Sequence, residues 1–271
     1  MNERIAIIGG GNTATAILGG QIKTALPVAR SEAIDTNPEA RQRLKDNYAL
    51  EAHAEPGAFL RDFPIVIWAV KPQTFKDAAL PAAPHVGQAL HLSVAAGIPT
   101  DSIKRWLGCE RIVRSMPNTP ALIGKGVTGL YARAGVTAQD RQHIEHIASV
   151  MGEFVWVERE DLLNAVTALS GSGPAYVFYF LEAMTGAGVE MGLSAEQAYQ
   201  LAVETFRGAG ELAKFSDEAP EVLRERVTSK GGTTHAAITS MDASNMKALF
   251  GQALHAAERR SKELGAEFGK D

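Results

Sequence analysis

The sequence predicts an α/β protein with an N-terminal Rossmann-like domain, whose sheet is mostly parallel, and a C-terminal all-helical domain. Up to about residue 160, short apolar runs alternate with helix-like segments, which is the pattern of repeated βαβ units. A glycine cluster directly follows the first of these runs. Beyond residue 160 the helical patterns follow one another without a clear strand. We therefore expect two domains, residues 1–159 and residues 160–271.

The predicted strands are short runs of apolar residues that end at turn-forming residues. The first, IAII, begins at residue 5, and no secretion signal is expected ahead of it. The run IVIWAV is apolar throughout, which is typical of a central strand covered on both faces. The seven predicted strands are residues 5–8, 32–35, 65–70, 89–94, 111–116, 126–133 and 153–158.

Capping residues mark the starts of several predicted helices. Asn37 precedes Pro38, a residue that suits the first helical position. Thr137 with Asp140, and Ser194 with Gln197, have the spacing of a capping box. The C-terminal half carries apolar residues on more helix faces than a small bundle can bury. We therefore expect its helices to form the interface of a homodimer.

Composition narrows the classes of function. The chain has 271 residues, of which 45% are hydrophobic and 21% charged, with a formal net charge of −4. An acidic balance argues against nucleic acid or a membrane surface as a partner. Cys109 is the only cysteine, and no apolar run reaches the roughly 20 residues of a membrane span. We expect a cytoplasmic protein.

The glycine cluster has the pattern of a dinucleotide-binding turn. Residues 9–14, GGGNTA, match G-x-G-x-x-G/A between a strand and a helix, which is the required context. Gly9 would form the tight turn, Gly11 would let a pyrophosphate approach, and Asn12 and Thr13 would open the helix beside it. A plain glycine turn between strand and helix is the alternative.

Further residues at strand ends are candidates for the same site. Asp35 ends the second predicted strand, where an acid commonly binds a ribose 2′-hydroxyl and favours NAD. Thr36, Asn37 and Arg41 could instead serve a 2′-phosphate, so the choice of cofactor stays open. The crevice of an open α/β sheet lies beyond the carboxyl ends of its strands. The other candidates in such turns are Val70, Lys71, Pro72, Ala95, Ala96, Gly97 and Asn118.

Other kinds of chemistry have no support in the sequence. The segment GGQIKT lacks the glycine that a Walker A motif places before its lysine. No nucleophile elbow with a Ser-His-Asp arrangement is present, and no metal site is expected.

The stretch VTSKGGTTHAA, residues 227–237, predicts an anion site. Its glycines and threonines precede helix-forming alanines, so that free N–H groups and a favourable dipole would face a bound anion. Ordinary capping of a helix by Ser and Thr is the alternative reading of the same residues.

The sequence resembles the pyrroline-5-carboxylate reductase family along nearly its whole length. The segment SGSGPAY within residues 165–177 is the most specific of the matching motifs. The matching segments, in order, are IGGGN (8–12), AVKPQ (69–73), SVAAGI (93–98), RSMPNTPA (114–121), AVTALSGSGPAYV (165–177) and VTSKGGTTHAA (227–237).

The resemblance implies an activity, a cofactor and an assembly. The expected reaction is reduction of 1-pyrroline-5-carboxylate to L-proline by hydride from NADPH, with NADH as another donor. The helical domain would bind substrate and build intertwined dimers, five of which form a decamer in many members. Thr234 would act at the ring nitrogen. The residues implied for substrate binding are Asp217, Ser229, Gly231, Gly232, Thr233 and Thr234.

The chain departs from the family pattern at three places beside the cofactor. Thr13 stands where the family usually has Met, Asp35-Thr36 puts a strict NADPH preference in doubt, and residues 54–57 read AEPG where an Asn is common. A related imine or β-hydroxyacid reductase and a non-catalytic dinucleotide-binding regulator remain as alternatives. The lysines from residue 160 onward match no motif of the β-hydroxyacid enzymes, and a regulator would have no reason to keep SGSGPAY and GGTT.

Overall fold

The computed structural model describes residues 4–23 and 31–270, without the side chains of residues 12, 13 and 20–23. The chain folds into two compact units. One comprises Met1–Ser172 together with Ala257–Asp271, and the other comprises Gly173–Ala256. This division into units differs in its bounds from the two domains expected from the sequence, residues 1–159 and 160–271, and the boundary near residue 160 stays a prediction.

The first unit is built on a sheet that has eight strands among the residues described. Their spatial order is β3-β2-β1-β4-β5-β6-β7-β8, with every neighbouring pair parallel except β6 and β7. The strands are β1 Ile5–Ile8, β2 Ser31–Ile34, β3 Glu51–His53, β4 Ile65–Trp68, β5 Leu90–Ser93, β6 Ile112–Met116, β7 Gly126–Ala132 and β8 Gly152–Trp156. The predicted class, a mostly parallel Rossmann-like sheet followed by helices, is confirmed.

Helices cover both faces of the sheet. Asn37 caps the second helix by accepting a hydrogen bond from Glu39 N at 2.8 Å, and the Thr137–Asp140 capping box is formed, as predicted. The helices of this unit are α1 Asn12–Lys23, α2 Pro38–Tyr48, α3 Phe75–Val86, α4 Thr100–Leu107, α5 Ala138–Ser149 and α6 Leu162–Val166, together with the end of the last helix of the chain, from Ala257 on. A single π-helical turn, Thr167–Gly171, follows α6.

Successive side chains of a β-strand point to opposite faces of the sheet, and each face has its own hydrophobic core. Ile5 and Ile7 of β1 join one core with Ile17 of α1, whereas Ala6 and Ile8 join the other. In a parallel sheet with helices on both faces, such strands must be apolar throughout, and IVIW of β4 is fully buried. The second core also contains the rings of Trp68, Phe75, His91 and Trp106.

The second unit is helical, and its capping box at Ser194 and Gln197 is formed as predicted. Its helices are α7 Gly173–Glu190, α8 Ala195–Lys214, α9 Pro220–Arg226, α10 Thr233–Ala243 and the first part of α11 Met246–Phe268. Tyr176, Phe180 and Phe250 form an edge-to-face aromatic cluster inside it. No helix in the described ranges is long and apolar enough to cross a membrane.

Large apolar side chains lie on the surface of this unit. In the part of it that the structure describes, the buried apolar side chains are only Ala198 and Ala202. Single exposed apolar residues are ordinary, but a helical unit whose large side chains face outward in this number is typical of a protein interface. They include Val177, Phe178, Tyr179, Met184, Val189, Met191, Tyr199, Leu201, Leu212 and Phe215.

Candidate functional site

A cavity of about 790 Å³ opens at the carboxyl ends of β1, β2 and β4. The strand order reverses between β1 and β4, which is the position where doubly wound sheets bind ligands. The cavity is lined by Ile8, Gly9, Gly10, Gly11, Ile34, Asp35, Thr36, Ala54, Glu55, Pro56, Ala69, Val70, Lys71, Thr74, Asp77, Ala78 and Pro81.

The glycine turn takes its shape from a close approach to the neighbouring strand. Gly9 has a φ of 101°, and a Cβ there would lie 2.5 Å from the carbonyl oxygen of Ala69, so a side chain is excluded. In front of Gly11, the nearest atom to a Cβ would be Ala69 O at 3.9 Å, which leaves room for a ligand. Ala14 is completely buried where α1 packs on the sheet. The turn thus has the geometry that the G-x-G-x-x-A pattern predicts.

Asp35 is fixed to the glycine turn. Its Oδ2 accepts a hydrogen bond from Gly10 N at 2.6 Å, and its Oδ1 accepts one from Asn37 N at 2.8 Å. Arg41 follows on α2, where its Nη1 donates to the carbonyl oxygens of Asp35 and Thr36 at 2.7 and 3.0 Å. A carboxylate held by two main-chain donors has a single, defined position on the cavity wall.

The structure brings together part of the predicted dinucleotide site. The predicted residues that line the cavity are Gly9, Gly11, Asp35, Thr36, Val70 and Lys71. The side chains of Asn12 and Thr13 lie outside the described residues. Pro72, Ala95, Ala96, Gly97 and Asn118 are not among the lining residues, and their roles stay predictions.

Two of the predicted residues that do not line the cavity, Asn118 and Gly97, make contacts elsewhere in the unit. Asn118 donates from Nδ2 to the carbonyl oxygen of Ser170 at 3.2 Å and accepts from Val127 N at 3.0 Å, so its amide joins two segments of the unit. Gly97 has a φ of 81° in the turn after β5, and a Cβ there would lie 3.2 Å from Gly265 N of α11.

The remaining lining residues were not predicted from the sequence. Glu55 and Pro56 follow β3, and Thr74, Asp77 and Ala78 lie at the start of α3. Neither element was predicted, because β3 is only three residues long and α3 contains Pro81 and Pro84. A usable signal was present: residues that directly follow strands at the carboxyl edge of a parallel sheet face its crevice.

The predicted anion loop lies in the helical unit. α10 begins at Thr233 with Gly232 as its N-cap, and no side chain caps its first turn. Gly231 has a φ of 76°, a conformation that favours glycine, and a Cβ on Gly232 would meet Ser229 Oγ at 2.7 Å, so the Ser229 side chain would have to move for a larger residue there. Thr234 is half-buried. Gly232 N donates to the carbonyl oxygen of Ser229 at 3.0 Å, but no side chain caps the N–H groups of the first turn of α10, which is what an anion-binding helix start needs.

Asp217, predicted near this loop, lies exposed ahead of α9. Its neighbour Glu218 forms an ion pair with Arg226, the last residue of α9. The role of Asp217 beside Thr234 stays a prediction.

One further cluster has ligand-type atoms close together. Atoms of Glu32, Glu51 and His53 lie within 4.8 Å of one another on β2 and β3. Glu32 is already engaged by Arg4 at 3.1 Å and by His53 Nε2 at 2.9 Å. The arrangement is that of an ion-paired surface cluster.

A glycine turn at the head of a doubly wound sheet, with an acid bonded to it from the end of β2, defines a dinucleotide-binding protein of the Rossmann class. Residues 4–97 match the family model described as "NADP oxidoreductase coenzyme F420-dependent", and residues 160–264 match "Pyrroline-5-carboxylate reductase dimerisation".

Known pyrroline-5-carboxylate reductases are similar to this chain, in sequence and in structure, along nearly its full length. The pyrroline-5-carboxylate reductase of Pseudomonas aeruginosa is 42% identical over 98% of both chains, and that of Pisum sativum is 33% identical over 96% of this chain and 95% of its own. The structure of the Coxiella burnetii enzyme matches with a TM-score of 0.91 at 34% identity, covering 97% of this chain and 99% of that one. The Plasmodium falciparum enzyme, solved with NADP bound, matches with a TM-score of 0.86 at 27% identity over 97% and 98%. This chain belongs to the pyrroline-5-carboxylate reductase family, and its helical region is the dimerisation domain through which it forms a homo-oligomer.

Proposed function

We propose that this protein reduces 1-pyrroline-5-carboxylate to L-proline, the last step of proline biosynthesis, with NADPH as hydride donor and NADH as a second donor. The observation that carries the proposal is full-length membership of the family together with a cavity at the sheet's switch point. The cavity residues fit a dinucleotide because an open space lies before Gly11 and the start of α1.

The chemistry asks little of the protein beyond positioning. The bound dinucleotide supplies a hydride to the imine carbon, and the ring nitrogen keeps or gains the proton of the iminium form. No strong general acid is needed. This agrees with the sequence, which predicts neither a catalytic triad nor a metal site. The protein binds and orients its reactants, and orientation alone can lower a barrier by several kcal/mol.

The loop before α10 is our candidate for the substrate site. We propose that main-chain N–H groups of Gly231, Thr233 and Thr234 hold the substrate carboxylate, with Ser229 and Gly232 beside them; Gly232 N itself donates to the carbonyl oxygen of Ser229 at 3.0 Å. The Thr234 hydroxyl would hydrogen-bond the ring nitrogen and thereby act as the catalytic side chain. The support is the first turn of α10, which no side chain caps, and the left-handed conformation of Gly231 in the loop before it.

The direct test is proline formation by the purified protein from pyrroline-5-carboxylate, assayed separately with NADPH and NADH. We expect L-proline with at least one donor, in an amount equal to the donor oxidised. Tight binding of either dinucleotide without proline formation would contradict the proposal and favour the binding regulator. Turnover of other imines but not of this one would favour a related imine reductase.

The size of the assembly and the location belong to the same proposal. We propose that dimers assemble further into a decamer, as the resemblance implies, and that the protein works in the cytoplasm, where its single thiol would stay reduced. Sedimentation at several concentrations and fractionation of the source cells test these two statements.

A further inference from the structure

We infer that Glu160 is a positioning residue of the reductase, because it caps α4 and thereby fixes the turn after β5, residues 94–99, for the nicotinamide half of the dinucleotide. The inference rests on the proposed function and on the predicted role of Ala95, Ala96 and Gly97 in binding the cofactor. Glu160 itself does not line the cavity, so it acts through the turn and not by contact with the cofactor.

The turn after β5 lies next to the wall of the cavity. Val94 N donates to the carbonyl oxygen of Trp68 at 3.1 Å, and Ala69 and Val70, which follow Trp68, line the cavity. A doubly wound sheet binds a dinucleotide across its crevice, with one mononucleotide on each half of the sheet. Because the adenosine half binds on the side of β1 and β2, the nicotinamide half meets the turns after β4 and β5.

The helix that ends this turn has no side-chain cap of its own. α4 begins at Thr100, and its N-cap is Pro99, which offers no side-chain acceptor. Glu160, in the connection between β8 and α6, supplies the acceptor. Its Oε1 accepts from Thr100 N at 2.7 Å, and its Oε2 accepts from Thr100 Oγ1 at 2.6 Å. A carboxylate in this position satisfies a free N–H group and is favoured by the helix dipole.

The carboxylate of Glu160 is held in turn by an arginine of β6. Arg114 Nη1 donates to Oε1 at 3.0 Å, and Arg114 is only 5% exposed. A buried guanidinium is costly unless a carboxylate lies beside it, so the pair has little freedom to separate. Arg133 Nη1 adds a hydrogen bond to Thr100 Oγ1 at 3.1 Å, and Thr100 is completely buried. The end of the turn is thus fixed by charged hydrogen bonds.

The middle of the turn is held by packing. Gly97 has a φ of 81°, and a Cβ there would lie 3.2 Å from Gly265 N, while Ile98 is completely buried. Hydride transfer needs its two carbon atoms about 3–3.5 Å apart, and a displacement of about 1 Å can cost about 100-fold in rate. A carboxylate that sets where the turn ends therefore affects the reaction without touching the reactants.

The experiment measures the affinity of the full-length protein for NADPH and for ADP, together with kcat for proline formation. ADP contains the adenosine and the pyrophosphate but no nicotinamide. Glu160→Gln keeps the size of the side chain and leaves one acceptor oxygen for the three donor groups of Thr100 and Arg114. We expect it to lower NADPH affinity about fivefold or more and kcat about tenfold or more, with ADP affinity unchanged.

Asp140→Asn is the matched control. Asp140 is also a buried capping carboxylate paired with an arginine, Arg111, but it caps α5. α5 follows β7, and the end of this strand lies beside the start of β6, away from the crevice. We expect Asp140→Asn to lower stability and to leave kcat and the ratio of NADPH to ADP affinity unchanged.

Two variants of Thr100 keep the test decisive if Glu160→Gln folds poorly. Thr100→Val removes the hydroxyl but keeps the ion pair of Glu160 with Arg114, and it should change kcat and the affinity ratio in the same direction. Thr100→Ser keeps the hydroxyl and should stay close to the wild type in both measurements.

The outcomes separate this inference from the proposed function. Wild-type values of kcat and of the affinity ratio in both Glu160→Gln and Thr100→Val overturn the inference. An equal loss in Asp140→Asn also overturns it, because the loss would then follow stability and not the position of the turn. Proline formation by the wild type leaves the proposed function intact in both cases. A ratio that changes only in the Glu160 and Thr100→Val variants, in a protein that forms no proline, supports the inference and contradicts the proposed activity.

Discussion

Thr234 and His235 are neighbours at the start of α10, but the structure gives them different surroundings. Thr234 is half-buried and His235 is exposed. Thr234→Ala removes only a hydroxyl and leaves the main-chain N–H groups in place. Losing one hydrogen bond to the ring nitrogen should cost about 1.5–3 kcal/mol, or roughly 10- to 150-fold in kcat/KM. His235→Ala should be mild, because the reaction needs no titrating base.

Steady-state kinetics and dinucleotide titration on the two variants decide between them. We expect Thr234→Ala to impair turnover while its dinucleotide affinity stays close to that of the wild type. Abolished activity in His235→Ala, with Thr234→Ala still active, would show that His235 is the general acid and would refute the assignment to Thr234.

His91 makes stability depend on pH. It is completely buried on β5, where Nδ1 accepts a hydrogen bond from Trp68 Nε1 at 3.1 Å. Burial, and to a lesser extent the charge of Arg111, lower the pKa of His91 from 6.5 to about 3. Below pH 6.5 the unfolded chain therefore binds a proton that the native protein does not, and stability falls as the pH falls towards 3.

The contribution of His91 is measured against His91→Gln, which keeps an acceptor for Trp68 and does not titrate. From pH 7.5 to pH 5, the free energy of unfolding of the wild type should fall by about 2 kcal/mol more than that of the variant. Urea unfolding at one fixed protein concentration gives both values, and the other histidines cancel in the difference. Equal pH dependence in the two proteins would mean that His91 binds its proton as readily in the native state as in the unfolded chain, which would contradict the lowered pKa.

For single residues, the sequence predicted candidate site residues, but it did not predict the hydrogen bonds that these residues form. Asp35 was predicted at the cofactor because an acid at the end of the second strand has a known role. Its hydrogen bond from Gly10 could not be predicted, since it depends on how β2 and the turn after β1 meet. Asn118 shows the same limit, because its bonds to Ser170 and Val127 join segments distant in sequence.

At the level of secondary-structure elements, β3 and α3 were not predicted because their sequences are not typical of a strand and a helix. β3 is a three-residue strand with two charged or polar members, and it is recognisable only from its parallel pairing with β2. α3 contains Pro81 and Pro84, but Phe75, Ala79, Ala82 and Val86 form a buried helical stripe. Packing of that stripe on the sheet outweighs the two lost N–H donors. Capping boxes, whose residues are three apart, were predicted correctly at both places.

The C-terminal end of α11 packs against the turn after β5, and a glycine makes this possible. A Cβ on Gly265 would lie 2.7 Å from the carbonyl oxygen of Gly97, closer than real Cβ contacts. Gly265→Ala should therefore destabilise the protein by about 1–3 kcal/mol, despite the better helix propensity of alanine. In Gly251→Ala, on the same helix, nothing lies within 4 Å of the new Cβ, so this control should be neutral or slightly stabilising. Thermal unfolding of both variants tests the contact, and a Gly265→Ala protein as stable as the control would refute it.

At the scale of the whole molecule, the helical unit is incomplete as a monomer. Phe178 and Tyr179 of α7 are 58% and 70% exposed, and they belong to a unit with few buried apolar side chains. Burying apolar surface is the main favourable term in association, at roughly 25 cal/mol per Å². A second copy of the chain, joined through the dimerisation domain, is the partner that we expect to cover this surface.

A charge placed on that surface should weaken the assembly without unfolding the protein. We expect light scattering to give at least a dimer for the wild type at micromolar concentration, and a smaller species for Phe178→Glu, because an unpaired carboxylate is costly to bury at an interface. Leu80→Glu is the matched control, since Leu80 is an apolar residue of α3 in the other unit and is 50% exposed. It should leave the assembly unchanged. A monomeric wild type would contradict the role of the helical unit as an interface. An assembly that Phe178→Glu leaves unchanged would place the interface away from this residue of α7, and equal loss in both variants would mean that the added charge acts non-specifically.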